Sequence, residues 1–270
     1  MQGSSRAAFV AGHDAFVTAL GSGTGGSALA EDLFAVTGAL DSSASLRRAL
    51  VDPSRDVPAK NVLVDGLFGP NIGADAITLL KALVSQRWAD DHDLGDATES
   101  MAVEAVVASA EAAGRLDALE DDLFRFGRLV AADVGLREAL SAHGGDENVK
   151  DAMVEALLEG KVSVETIRLA RRAALSPRGR QFGRVLDSYL AIAAIRREQV
   201  TATVTAVVWL DDAQRQRLTQ ILARIYGREV QINTVIDPAV MGGLRVQVGD
   251  EVVDGTILRR LLEAERALLI

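Results

Sequence analysis

No cysteine occurs in the 270 residues. That excludes a disulfide framework, a thiolate nucleophile and a cysteine metal site, and it suits a reducing compartment. Aromatic residues make up only 4% of the chain against an apolar fraction of 49%. Alanine and leucine therefore carry most of the packing, which favours helices. Positive charge is in deficit: 29 Lys and Arg against 38 Asp and Glu give a net charge of −9. A nucleic-acid or anionic-membrane surface is not expected from that balance. No run approaches the ~20 apolar residues that span a bilayer. The opening MQGSSRAAFVAGHDAF carries Arg6, His13 and Asp14 where a signal peptide needs an apolar core. The chain is expected to insert nowhere in a membrane directly and to reach one only through partners.

Reactive constellations are scarce as well. His13, His92 and His143 lie in three separate segments without ligand spacing. Asp90, Asp91, His92 and Asp93 sit within ADDHDLGD, read as a solvated loop between helices, because no EF-hand spacing follows. There is no G-x-S-x-G elbow and no G-x-x-x-x-G-K-[ST] phosphate loop. Gly21, Gly23 and Gly26 fit G-x-G-x-x-G, but a helix precedes them where a pyrophosphate cradle needs a strand, so GSGTGGS reads as a linker. The sequence nominates no catalytic residue, no cofactor and no metal.

A chain of this length is expected to form two or three domains. A first helix is expected over Ser5–Leu20, with Phe9, Phe16, Val17 and Leu20 at helical spacing. From Ala28 the text repeats at a constant offset. ALAEDLF at 28–34 returns as ALEDDLF at 118–124; Leu46-Arg47 returns as Leu136-Arg137; Asp56, Lys60, Val64, Leu67, Ile77 and Leu79 return as Asp146, Lys150, Val154, Leu157, Ile167 and Leu169. The shared positions are mostly apolar at three- and four-residue steps, so what repeats is a buried face. Copy one is expected as helices over about 27–40, 44–51, 57–68 and 74–88, and copy two as 117–130, 134–142, 146–158 and 163–176, with a helix over 98–113 lying where copy one ends and copy two begins. The arginines at 171–172, 178, 180, 196–197 and 259–260 read by default as solvated faces, or as contacts with an acidic partner helix.

After Pro177 a long helix, Gly179 to Glu198, carries Phe182, Val185, Leu186, Tyr189, Ile192 and Ala193 on one stripe. The period then changes to two at Val200, and alternation of Val200, Ala202, Val204, Ala206 and Val208 gives a strand with one covered face. Asp211 and Gln214 make a capping-box-like start, with Leu218, Ile221, Leu222 and Ile225 as the inward face of the helix. Strand, turn, strand, tight turn and strand follow in VQINTVIDPAVMGGLRVQVGDEVVDGT, and a closing helix is expected over Thr256–Leu268. The fold class is α+β, mostly α: two tandem helical bundles, residues 1–97 and 98–178, and a small C-terminal α/β unit, residues 179–270.

The spacing of Val230, Ile232, Ile236, Asp237, Val240, Gly242, Gly243, Leu244, Val246, Gln247 and Gly249, followed by Asp254-Gly255 before the last helix, resembles the signature of the F-type ATP synthase delta subunit family, which includes the mitochondrial oligomycin-sensitivity-conferring protein. The resemblance covers roughly Thr98 to the C-terminus, and copy one departs from the usual shorter subunit. It implies a non-catalytic stator subunit at the cytoplasmic face of the bacterial membrane. The implied partners are the N-terminal helices of the alpha subunits and the b subunits of the peripheral stalk. By their positions at turns, Asp237 and Asp254 either bond local turn amides or pair with another subunit; the Gly242-Gly243 pair serves close packing or a ligand contact. The alternative function is a helical-repeat adaptor unrelated to ATP synthase. A nucleotide-binding enzyme using Gly21–Gly26 is the third reading.

Overall fold

The computed structural model describes residues 3–21, 26–142, 145–198, 200–226, 230–237, 243–248 and 251–254. Among them the elements run α1 (Ser4–Gly21), α2 (Gly26–Ser42), α3 (Ala44–Val51), α4 (Val57–Phe68), α5 (Ala74–Val84), α6 (Asp91–Ala112), α7 (Leu116–Ala132), α8 (Val134–Ser141), α9 (Glu147–Leu158), α10 (Val164–Leu175), α11 (Phe182–Glu198), β1 (Val200–Ala206), α12 (Asp212–Tyr226), β2 (Val230–Ile236), β3 (Leu244–Val248) and β4 (Glu251–Asp254). The fold is α+β and mostly helical, as the composition implies. The helix expected over Thr256–Leu268 lies outside the described residues, as do Gly23, His143, Val240, Gly242, Gly249 and Gly255.

The chain forms two compact units, Met1–Arg196 and Arg197–Ile270. The expected blocks 1–97 and 98–178 fall together in the first unit. Most of α11, expected to belong with the C-terminal block, packs there too, with Phe182, Val185, Leu186, Tyr189 and Ala193 in the same core.

Within the first unit the 90-residue repeat is structural. α2, α3, α4 and α5 begin at Gly26, Ala44, Val57 and Ala74; α7, α8, α9 and α10 begin at Leu116, Val134, Glu147 and Val164. The start signals repeat with them. Ser43 and Asp133 cap α3 and α8 by accepting from the amides of Leu46 and Leu136, and Asp56 and Asp146 cap α4 and α9. Arg47 and Arg137 donate to the carbonyls of Asp41 and Ala131 at matching positions. The lysines at 60 and 150 are both buried up to their ammonium groups, which donate to the carbonyls of Val84 and Ala142.

ADDHDLGD is not a loop. Asp90 accepts from the His92 amide and caps α6, and Asp91 and Asp93 lie in its first turn, where carboxylates favour the positive end of the helix dipole. Most of what was read as a polar connection is therefore the opening of the longest helix among the described residues. That helix is buried around its whole circumference, from Leu94 and Ala97 through Met101, Val103 and Val106 to Ala110. It packs against α1, α2 and α3 on one side and α7 and α10 on the other. It occupies the position of a last helix for copy one and of a first helix for copy two. The two copies are joined through one shared helix.

The second unit carries a four-stranded sheet in the order β2-β1-β3-β4. β1 and β2 pair parallel in register Val200 to Val230, linked through α12; β1–β3 and β3–β4 are antiparallel. Its core is small: Ala202 and Val204 of β1 with Leu222, Val230, Ile232, Val246 and Val248. The capping box forms reciprocally, Gln214 N–H donating to Asp211 Oδ1 at 2.7 Å and Asp211 N–H to Gln214 Oε1 at 3.2 Å. Two expectations need correction. β1 ends at Ala206, and Val208 is 71% exposed beyond it. Leu222 faces the sheet and Leu218 packs beside it, but Ile221 and Ile225 are 44% and 66% exposed, so the small sheet covers only part of the apolar stripe of α12.

Candidate functional site

The signature residues divide by role. Val230, Ile232 and Val246 are core, and Leu244 packs against that core. Ile236 closes β2 opposite Ala206, and the Asp237 amide continues the pairing by donating to the Ala206 carbonyl at 2.9 Å. Gly243 has φ +84°, a left-handed backbone that a side chain would strain; this is the physical reason for glycine at that position. Gln247 is exposed on β3 opposite Thr203 and Val252. Asp254 stands opposite Arg245 in the ladder.

Gly243 and Leu244 also edge an apolar groove of 470 Å³, walled by Val207, Val208, Trp209, Leu210, Leu218 and Ile221. Trp209 is 65% exposed there. The residues that break the strand reading are those that build this groove: the chain leaves the sheet at Ala206 and turns its apolar side chains outward beside α12. An exposed indole beside aliphatic walls suits the apolar face of a helix.

In the first unit the polar centre is Glu99 on α6. Only 3% exposed, it accepts from Arg180 Nη2 at 2.6 and 2.8 Å, from Arg178 Nη1 at 3.0 Å and from the Tyr189 hydroxyl at 3.0 Å. Arg178 also reaches Asp41 and Asp96. Burial, with the Glu99 carboxylate beside it, pushes the Tyr189 phenol up. Farther along α6, Arg196 of α11 pairs with Glu111 at 2.7 Å and lies 3.7 Å from Glu104, which also holds His13 of α1 at 3.0 Å. Burial opposes the charged imidazole, but the hydrogen bond and charge of Glu104 outweigh it and raise the His13 pKa. The arginines at 172, 178 and 196, read from the sequence as solvated, are seam residues: Arg178 and Arg196 are closed into ion pairs, and Arg172 stacks 4.8 Å from the Phe34 ring. A cleft of 890 Å³ opens along this seam, lined by the Glu99 cluster together with Arg47, Lys150 and Ile192. Its polar groups are mostly paired with one another, an arrangement suited to fixing helices rather than to moving protons.

The ligand atoms of Asp90, Asp91 and His92 lie within 4.8 Å of one another. Asp90 is already spent on capping α6, and Asp91 faces Arg47 at 3.5 Å. Gly21 ends α1 and Gly26 begins α2, so the dinucleotide-like glycines join two helices. Among the described residues no helix is long and apolar enough to cross a membrane.

Comparison with known sequences bears on the same regions. The profile of the family described as ATP synthase delta (OSCP) subunit matches residues 103–268, beginning within α6. A protein of Kineococcus radiotolerans named ATP synthase subunit delta is 50% identical over 238 residues, 88% of this chain and 86% of its own length. Proteins of the same name from Beutenbergia cavernae and Streptomyces avermitilis are 46% identical over 269 residues (99% of each chain) and 45% identical over 240 residues (89% and 88%). Copy one lies outside the family profile yet inside the match to the Beutenbergia relative.

Proposed function

Because the chain belongs to the ATP synthase delta (OSCP) subunit family, we propose that it is a non-catalytic stator subunit, joining the catalytic head to the membrane-anchored b subunits so that rotor torque is not lost in co-rotation. The observation that carries this reading is the match to an ATP synthase subunit delta over 99% of both chains, which takes in copy one, the shared helix and the sheet unit together. The physical character of the molecule supports it. Its buried charges are consumed in holding helices to helices, and its apolar groove beside Trp209 has the lining to receive an amphipathic helix. A tether needs stiffness and affinity rather than reactive groups.

The N-terminal helices of the alpha subunits are the proposed partners of the helical unit, and the b subunits those of the sheet unit. The chain would then sit at the cytoplasmic face of the bacterial membrane, held there by the complex. The adaptor reading has no separate observation in its favour now that the family is established. Membranes stripped of this chain should hydrolyse ATP without building a proton gradient, and adding it back should restore ATP-driven pumping. Full pumping in its absence would refute the role.

A further inference from the structure

The two copies do not bury the same surface, and the difference leaves a helix-binding stripe open. The burial patterns of α2 over 31–40 and α7 over 121–130 agree at seven of ten positions; Phe34 and Thr37 are buried while their counterparts Phe124 and Gly127 are not, and half-buried Ala39 is matched by exposed Leu129. Phe34 is 7% exposed and Phe124 is 59% exposed. Two arginines of α10 reach across to the first. Arg168 pairs with Glu31 at 3.0 Å and donates to the Ser27 hydroxyl at 2.8 Å; one turn on, the Arg172 guanidinium lies 4.8 Å from the Phe34 ring centre. Nε and Nη2 of Arg172 are buried without a hydrogen-bond partner among the described residues, so the ring face is a principal contact for that cation.

Ninety residues on, Ser27, Glu31 and Phe34 become Asp117, Asp121 and Phe124, one exposed stripe of α7 with the same aromatic and more negative charge. The small residues beside Phe34, Ala35 and Gly38, are replaced by Arg125 and Arg128, but all four positions are exposed, so the substitution leaves the stripe open. Asp121 is held by Arg125 at 3.2 Å, with both side chains more than two-thirds exposed, a pair that exchanges at little cost.

We propose that this stripe of α7 binds a helix of a partner protein carrying two arginines four residues apart, one reaching Asp117 and Asp121 and the next stacking on Phe124, in the way α10 caps α2. The occupant is not a second copy of this chain. Arg168 and Arg172 are already used within the molecule, and the corresponding positions of α5 are Thr78 and Ala82, which supply neither charge nor a stacking group. The inference rests on the duplication and its packing and does not depend on the stator reading.

The test uses the full chain and a synthetic, end-capped peptide of residues 163–176, which brings its own Ser163 cap and the Arg168–Arg172 pair. Fluorescence anisotropy is expected to show saturable binding, weakened roughly two- to five-fold by Phe124→Ala and again by Asp121→Lys in the chain, and lost when both peptide arginines are alanine, magnitudes set by one exposed cation–π contact and one exposed charge pair. Lysine at both peptide positions should restore less than half of the affinity, because the planar guanidinium stacks better than an ammonium. Both chain substitutions lie on exposed positions and leave the fold intact. Absence of binding, or binding indifferent to Phe124→Ala and Asp121→Lys, overturns the proposal. Self-association of the chain that disappears with Phe124→Ala also overturns it, since a second copy would then own the stripe.

Discussion

Glu99 is the residue on which the helical unit closes. Two guanidiniums and a phenol converge on its carboxylate at 3.0 Å or less, all three from the α10–α11 connection and α11, so the seam ties that end of the unit to α6. Removing one partner of a buried charge pair leaves the others uncompensated, so Glu99→Ala should cost about 3 kcal/mol of stability in urea denaturation. A cost near zero would mean that the arginines relax to water. His13 gives a second check. Its folded pKa lies above the usual value, so its contact with Glu104 contributes stability that is full below pH ~6.5 and is lost as pH rises through the folded value. Asp14 and Arg196 are the other charged groups that face it. His13→Gln should therefore flatten the stability difference between about pH 5.5 and pH 8.5. None of this was legible in the sequence. An arginine on an Ala-rich helix has the same text whether it faces water or a buried carboxylate 80 residues away.

At the scale of elements, caps and periods carried most of the information. The Asp211–Gln214 box, the strand at Val200 and the α11 stripe all stand where their spacing put them, because each is fixed by neighbours in sequence. The start of α6 was misread because Asp, His and Gly punctuate loops as readily as they open helices; the deciding factor, burial on every side of Leu94 to Ala110, is tertiary. The interface of α2 with α6 gives a clean test of that packing. A Cβ on Gly26 would lie 2.6 Å from the Ala105 carbonyl oxygen, a backbone atom that cannot swing aside. Gly26→Ala should destabilise the helical unit by about 1–3 kcal/mol, the range for overpacking, measured as a lowered thermal midpoint; an unchanged midpoint would mean that the two helices separate freely.

Across the whole molecule, the duplication was readable as a constant offset and the helix at 98–113 as the junction of the copies, but the burial of α6 in one core common to both was not. Sequence blocks ending at 97 and 178 imply two bundles that could be parted. The structure instead puts one helix in the core of both, so removing residues 1–90 should strip α1 to α5 from α6 and leave a chain that aggregates or exposes apolar surface to a hydrophobic dye. A monomeric, dye-silent product would show that copy two stands alone. The groove beside Trp209 was hidden for a related reason: Val207 and Val208 continue the alternation of β1 in text, while the backbone leaves the sheet at Ala206. The signature at Val230–Gly249 identified the family and said little about contacts, since most of its described residues are core or turn geometry. The central claim, that this chain is the stator link of an ATP synthase, is tested most directly by affinity purification of the tagged full chain from detergent-solubilised, ATP-synthesising membranes of its own cell. Co-purification of the alpha, beta and b subunits in fixed proportion is the expected result. Recovery of the chain without them, from membranes that remain active, would contradict it.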